Sequence, residues 1–156
     1  MPENSANRQQ PSEASTFLCF DFGLRRIGVA VGQSLTGSAS ALETINSGGQ
    51  GGPWRRIEQL LERWQPDALV IGVPYTEEGG EQPLTLGARK FGRQLNGRFG
   101  LAVHHADERY TSRAADQRFR DLRRFGAVRR KDAVRQDAVA AQLILEQWLE
   151  QQIAGS

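Results

Sequence analysis

The sequence lacks the features that mark secreted and membrane proteins. Among 156 residues there is a single cysteine, Cys19, so no disulfide can form within the chain. Its place in an apolar run indicates that Cys19 has a packing role. Because the chain has this single cysteine, we expect the protein to be located in the reducing cytoplasm. No apolar run approaches the roughly 20 residues of a membrane-spanning helix, so no membrane association is expected. Residues 1–15 are polar and lack the apolar segment of a secretory signal.

Histidine and lysine are also scarce. The two histidines, His104 and His105, are neighbours, and neighbouring side chains of a strand point to opposite faces. We therefore expect both to be structural rather than zinc ligands. Lysine occurs only at positions 90 and 131, so arginine supplies 18 of the 20 basic residues. The positive charge is thus almost entirely guanidinium, whose planar fork matches phosphate oxygens.

The arginines are concentrated in one part of the chain. Residues 109–135 contain ten basic residues and three aspartates, a net charge of +7, while the rest of the chain carries −5. Such a segment is typical of a nucleic-acid-binding surface. It is equally compatible with a solvated helix face, and charge alone does not distinguish the two.

Composition and hydropathy predict a tail followed by one domain. Residues 1–15 are rich in Ser, Asn, Gln, Glu and Pro and are expected to be a disordered tail, before a single domain over residues 16–153. The apolar patterns predict strands at 17–22, 25–32, 38–45, 68–73 and 101–105, and helices at 53–65, 83–97, 111–126 and 133–153. This order predicts an α/β fold with a mixed five-stranded sheet flanked by helices. A three-strand antiparallel N-terminal meander would be joined by two parallel strands.

Four acidic residues lie where a solvated charge is not expected. Asp21 stands between two phenylalanines in the first strand. A carboxylate there is costly unless it forms an ion pair or binds a metal ion. Asp107 and Glu108 end the last strand, and only one of the two can face a site above the first strand. Asp137 borders the apolar face of the last helix. These acids are the candidates for a chemical site.

Two explanations account for these acids. Carboxylates that converge from separate elements suit two hard cations about 4 Å apart, an arrangement that hydrolyses phosphodiester bonds. Each acid could instead form an ion pair with an arginine. The nearest partners in the sequence are Arg25 or Arg26 for Asp21, Arg109 for Glu108, and any of the many arginines for Asp137.

Four motifs resemble a known family. Residues 21–30 read DFGLRRIGVA, residues 72–74 read GVP, residues 107–112 read DERYTS, and residues 137–141 read DAVAA. In this order and spacing they are similar to the motifs of the YqgF family. Its members have an RNase H-like fold and are described as pre-16S ribosomal RNA nucleases or as Holliday junction resolvases.

The resemblance implies a metal-dependent endonuclease that uses two Mg²⁺ or Mn²⁺ ions and processes the 5′ end of pre-16S ribosomal RNA. The alternative that it implies is a Holliday junction resolvase acting on branched DNA. Asp21, Glu108 and Asp137 match the family's metal-binding and catalytic acids, and Asp107 is the alternate for Glu108. The expected partner is nucleic acid, structured RNA or branched DNA, bound by a monomer or a homodimer. The expected substrate-binding residues are the arginines Arg109, Arg113, Arg123, Arg124, Arg129 and Arg130.

Two other functions compete with the nuclease. One is a catalytically silent nucleic-acid-binding factor, although such a protein would keep buried carboxylates without using them. The other is an actin-like or sugar-kinase ATPase, which needs two such domains and a chain about twice as long. Between RNA and DNA the sequence is neutral, because arginines contact phosphate and no motif for base stacking is recognised.

Overall fold

The computed structural model describes residues 15–74, 80–107 and 130–154. In these ranges the chain forms one five-stranded sheet and three helices. The strands are β1 (Thr16–Phe22), β2 (Arg26–Gln33), β3 (Ser38–Asn46), β4 (Ala68–Val73) and β5 (Val103–Asp107). The helices are α1 (Trp54–Trp64), α2 (Pro83–Phe99) and α3 (Arg130–Ala154).

The sheet has the order β3-β2-β1-β4-β5. Short turns join β1, β2 and β3, which pair antiparallel. A helix precedes β4 and another precedes β5. Because these connections are long enough to cross over the sheet, β4 runs parallel to β1 and β5 runs parallel to β4. The predicted α/β class, an antiparallel meander extended by two parallel strands, is confirmed.

The apolar run of β1 is explained by its central position, because both faces of the sheet are covered. On one face Leu18 and Phe20 pack in a core with α1 and α2. On the other face Phe17 and Cys19 pack against α3, which contributes Leu145 among others. Cys19 is fully buried, in agreement with its predicted packing role.

The ends of α1 and α2 follow local sequence signals. The helix α1 buries Ile57 and Leu60, and its C-cap is Gln65, whose φ of 46° is left-handed and which precedes a proline. The helix α2 begins with a capping box between Gln82 and Thr85. No helix in the described ranges is long and apolar enough to span a membrane.

Several element boundaries differ from those predicted. The strand β5 starts at Val103 rather than at residue 101, because the Leu101 carbonyl accepts a hydrogen bond from the Asn96 side chain at the end of α2 (2.9 Å). The helix α3 is longer at both ends than predicted. Ser15 is buried and its carbonyl accepts the Ser34 amide (3.0 Å), so position 15 belongs to the folded part. The predicted helix 111–126 and residues 1–14 of the predicted tail lie outside the described residues.

Candidate active site

Asp21 lies near the carboxyl end of the central strand, on the α3 face of the sheet. It shares this face with Phe17 and Cys19, because side chains two residues apart in a strand point the same way. Across the sheet Asp21 pairs with Gly28 of β2 on one side and with Gly72 of β4 on the other. The partly buried Asp21 carboxylate therefore has no neighbouring Cβ in its own row of the sheet.

Asp137 is held at the same place by a close approach between α3 and β2. A Cβ added at Gly28 would overlap the carbonyl group of Asp137 and lie 3.0 Å from the amide nitrogen of Ala138. Only glycine allows the helix backbone to come this near. Because Gly28 also pairs with Asp21, the backbones of the two acids flank one glycine. The structure thus brings together Asp21 and Asp137, which are far apart in the sequence.

An arginine outside the predicted set of site residues contacts Asp137. The Nε atom of Arg26 lies 2.8 Å from Oδ2 of Asp137, which makes an ion pair. The contact is short, but the N–H direction does not meet hydrogen-bond geometry, and the buried Oδ2 accepts no hydrogen bond from any described residue. The sequence offered Arg26 as a partner for Asp21, five positions away, and no local signal pointed to Asp137.

Asp107 occupies the last position of β5 and falls on the opposite face of the sheet. His104 stacks on Trp148 of α3, with ring centroids 5.1 Å apart, and Ala106 belongs to the core on the α3 side. Val103 packs in the core on the α2 side. By the alternation of the strand, Asp107 shares the face of Val103, away from the face of Asp21.

The two histidines point to opposite faces, as the sequence predicted. His104 lies against α3, while Nε2 of His105 lies near Gly92 of α2. Burial lowers the pKa of both imidazoles, and the adjacent charge of His105 lowers that of His104 further. Because the pKa of each ring is lowered from its ordinary value, both rings would be neutral at pH 7. They therefore add no positive charge that could attract a phosphate.

The remaining predicted site residues fall outside the described part of the chain. This applies to Glu108, to five of the arginines and to the side chain of Arg130, whose backbone begins α3. Those five arginines are Arg109, Arg113, Arg123, Arg124 and Arg129.

The described acids fit a hard divalent cation. Carboxylate oxygens are the ligands that Mg²⁺ and Mn²⁺ prefer, and the buried Oδ2 of Asp137 accepts no hydrogen bond from the described part of the chain. Within the described ranges no group of three His, Cys, Asp or Glu side chains is placed to hold a metal ion. Asp21 and Asp137 would supply two carboxylates to such an ion, and a third ligand would have to come from residues outside the described ranges.

Comparisons with known proteins bear on this arrangement. The model of the family described as "RuvX: Holliday junction resolvase" matches residues 15–151. A protein of Aeromonas salmonicida is 48% identical over 133 residues, 85% of this chain and 93% of the relative. A protein of Coxiella burnetii is 44% identical over 142 residues, 91% of this chain and 97% of the relative. Both carry the name "Putative pre-16S rRNA nuclease".

A solved structure supports the fold. The chain matches T. thermophilus RuvC, solved in complex with a Holliday junction substrate, with a TM-score of 0.53 over 89% of this chain and 96% of that one. At 16% sequence identity this match shows a shared fold. The predicted family resemblance is confirmed by the family model and by the relatives. This chain belongs to the RuvX/YqgF family.

Proposed function

We propose that this chain is a metal-dependent endonuclease that processes the 5′ end of pre-16S ribosomal RNA. The observation that carries the proposal is the placement of Asp21 and Asp137 on either side of Gly28. Two acids at one point of an otherwise apolar face are costly for a protein that only binds nucleic acid. The names of the curated relatives support the RNA substrate, which would place the activity in the cytoplasm.

Three acids would form the metal site of this enzyme. Asp21 and Asp137 would hold Mg²⁺ or Mn²⁺ together with Glu108. Asp107 shares the α2 face, away from Asp21, and this supports its sequence neighbour Glu108 rather than Asp107 as the third ligand. When bound, two such ions supply an activated water and stabilise the leaving oxygen of a phosphodiester.

The protein itself would position the metal ligands and bind the phosphates of the substrate. The carboxylates would fix the ligand geometry, and Gly72 places no side chain beside Asp21 in its row of the sheet, on the side where the scissile phosphate would approach. The arginine-rich segment between Glu108 and Asp137 has the charge to bind the phosphates that flank the cut. Arg109, just past the proposed Glu108 ligand, would contact the phosphate nearest the site.

A second candidate function is cleavage of branched DNA. It is favoured by the description of the matching family model as a Holliday junction resolvase. The same acids and the same arginines would serve this reaction, because both contact phosphate and neither reads the sugar. The two candidates differ only in the shape and sugar of the strand that is bound.

A cleavage assay with the purified full chain tests the proposal. The substrates are a pre-16S 5′ leader RNA and a four-way DNA junction, each incubated with Mn²⁺, with Mg²⁺, or with EDTA. We expect cuts in the RNA that require the metal and are absent in Asp21→Asn, which keeps the shape of the side chain but removes its charge. The matched control is Asp67→Asn, at an exposed position whose carboxylate accepts a hydrogen bond from the Thr16 amide at the far end of β1.

The outcomes separate the candidates. Cuts confined to the DNA junction would replace RNA processing by junction resolution. Tight binding of either substrate with no cleavage under any metal would favour a silent nucleic-acid-binding factor. Cleavage that persists in Asp21→Asn at the rate of the parent would remove Asp21 from the site and with it most of the proposal.

A further inference from the structure

Arg26 and Gly28 are two residues apart in β2 and therefore face the same side of the sheet. Both act on Asp137: Gly28 accommodates its backbone, and the Arg26 guanidinium lies on its carboxylate. Strand β2 therefore contacts both the backbone and the carboxylate of Asp137 and sets its position. Its Oδ2 atom is buried and accepts no hydrogen bond from any described residue, so the guanidinium is the charged group that faces it there.

The contact between Arg26 and Asp137 is one that a metal ion could displace. Nε approaches Oδ2 to 2.8 Å, but no hydrogen bond of proper geometry forms, so the attraction is mainly Coulombic. The Arg26 side chain is 44% exposed and can turn toward solvent, whereas Asp137, whose side chain is 30% exposed, belongs to α3, and its backbone is packed against Gly28. Two cations at one carboxylate oxygen repel each other strongly where solvent is partly excluded.

We propose that Arg26 is a positioning residue that competes with the divalent cation for the carboxylate of Asp137. The inference rests on the proposed function, because it takes Asp137 as a metal ligand. Arg26 holds this carboxylate in place without a metal, and its guanidinium must leave Oδ2 when a metal binds there. Metal affinity is therefore lower than the acids alone would give, and Arg26 sets it.

The test is a titration of the full chain with Mn²⁺. Binding is measured by calorimetry and by the electron paramagnetic resonance signal of free Mn²⁺. Arg26→Gln removes the charge and is expected to tighten Mn²⁺ binding by about tenfold, or roughly 1.4 kcal/mol. Arg25→Gln is the matched control, since it removes the same charge from the adjacent exposed residue. Arg26→Lys keeps a cation and should bind Mn²⁺ nearly as weakly as the parent.

Circular dichroism checks that each variant is folded, and Arg26→Met, which keeps an apolar stem, replaces Arg26→Gln if the latter does not fold. Equal or weaker Mn²⁺ binding by the uncharged Arg26 variant, with binding by the parent intact, would overturn the inference and leave the nuclease proposal standing. Equal tightening by Arg25→Gln would also overturn it, because the effect would then be one of net charge. If neither the parent nor the Arg26 variants bind Mn²⁺, the metal site and the competition are both wrong.

Discussion

Replacing Gly28 by alanine tests whether the close approach between β2 and α3 positions the candidate site. The added Cβ would overlap the carbonyl group of Asp137 and lie 3.0 Å from the nitrogen of Ala138. Both neighbours are backbone atoms of a helix, so no flexible side chain can move aside. The helix α3 has to withdraw from the sheet by roughly 1 Å to relieve the overlap.

The size of the effect follows from this displacement. Overpacking of a filled site costs about 1–3 kcal/mol of the free energy of unfolding. For a chain of this size, each kcal/mol lowers Tm by about 2–4 °C. A shift of 1 Å in a catalytic group can reduce the rate by about 100-fold. We therefore expect the Gly28→Ala variant to stay folded at 25 °C but to lose nearly all cleavage.

The assay pairs thermal unfolding with single-turnover cleavage in Mn²⁺. Gly97→Ala is the matched control, since a Cβ at Gly97 of α2 meets no atom within 4 Å. Alanine in a helix interior is favoured over glycine by up to about 1 kcal/mol, so this control should be as stable as the parent or more stable, with its activity unchanged. A Gly28→Ala variant with the Tm and the cleavage rate of the parent would refute the packing that links Asp137 to Asp21.

Three further predictions concern the third ligand, the arginines and the histidines. Glu108→Gln should weaken Mn²⁺ binding in a calorimetric titration more than Asp107→Asn, because Asp107 shares the α2 face; the opposite order would reverse the assignment. Replacing Arg123 and Arg124 together by alanine should flatten the plot of log Kd against log salt by about one to two units and leave kcat nearly unchanged. An unaltered slope would make these arginines a solvated face. Burial lowers the pKa of His104, so the unfolded chain takes up this proton at a higher pH than the folded chain does. The free energy of unfolding should therefore fall as the pH drops below about 6.5, and His104→Gln should show a smaller fall in urea titrations at about pH 7 and about pH 5.5. An equal fall in both proteins would contradict the shift.

The sheet was predictable because burial on both faces leaves a simple pattern. Residues 68–73 are apolar at nearly every position, and the observed strand β4 has the predicted bounds. Helices α1 and α2 carry prolines near their first turns and apolar stripes, which located them well. The start of β5 was harder to predict. Leu101 is apolar and so resembles a strand residue, but its carbonyl accepts a hydrogen bond from Asn96 at the end of the preceding helix.

The site was only partly predictable. Asp21 and Asp137 stood out because each interrupts an apolar pattern, and that signal is local. The roles of Arg26 and Gly28 depend on contacts with residue 137, more than 100 positions later in the chain. Pairing across such a distance is set by how the helix packs on the sheet, and no spacing in the sequence encodes it.

The most direct test of the central claim is a double-mutant cycle on Asp21 and Asp137. The single-turnover cleavage rate at saturating Mn²⁺ is measured for the parent, Asp21→Asn, Asp137→Asn and the double variant. If the two carboxylates hold one metal centre, either single change abolishes it and the double variant is no slower than the slower single variant. Losses that multiply in the double variant, or a parent-like rate in either single variant, would contradict a shared metal centre.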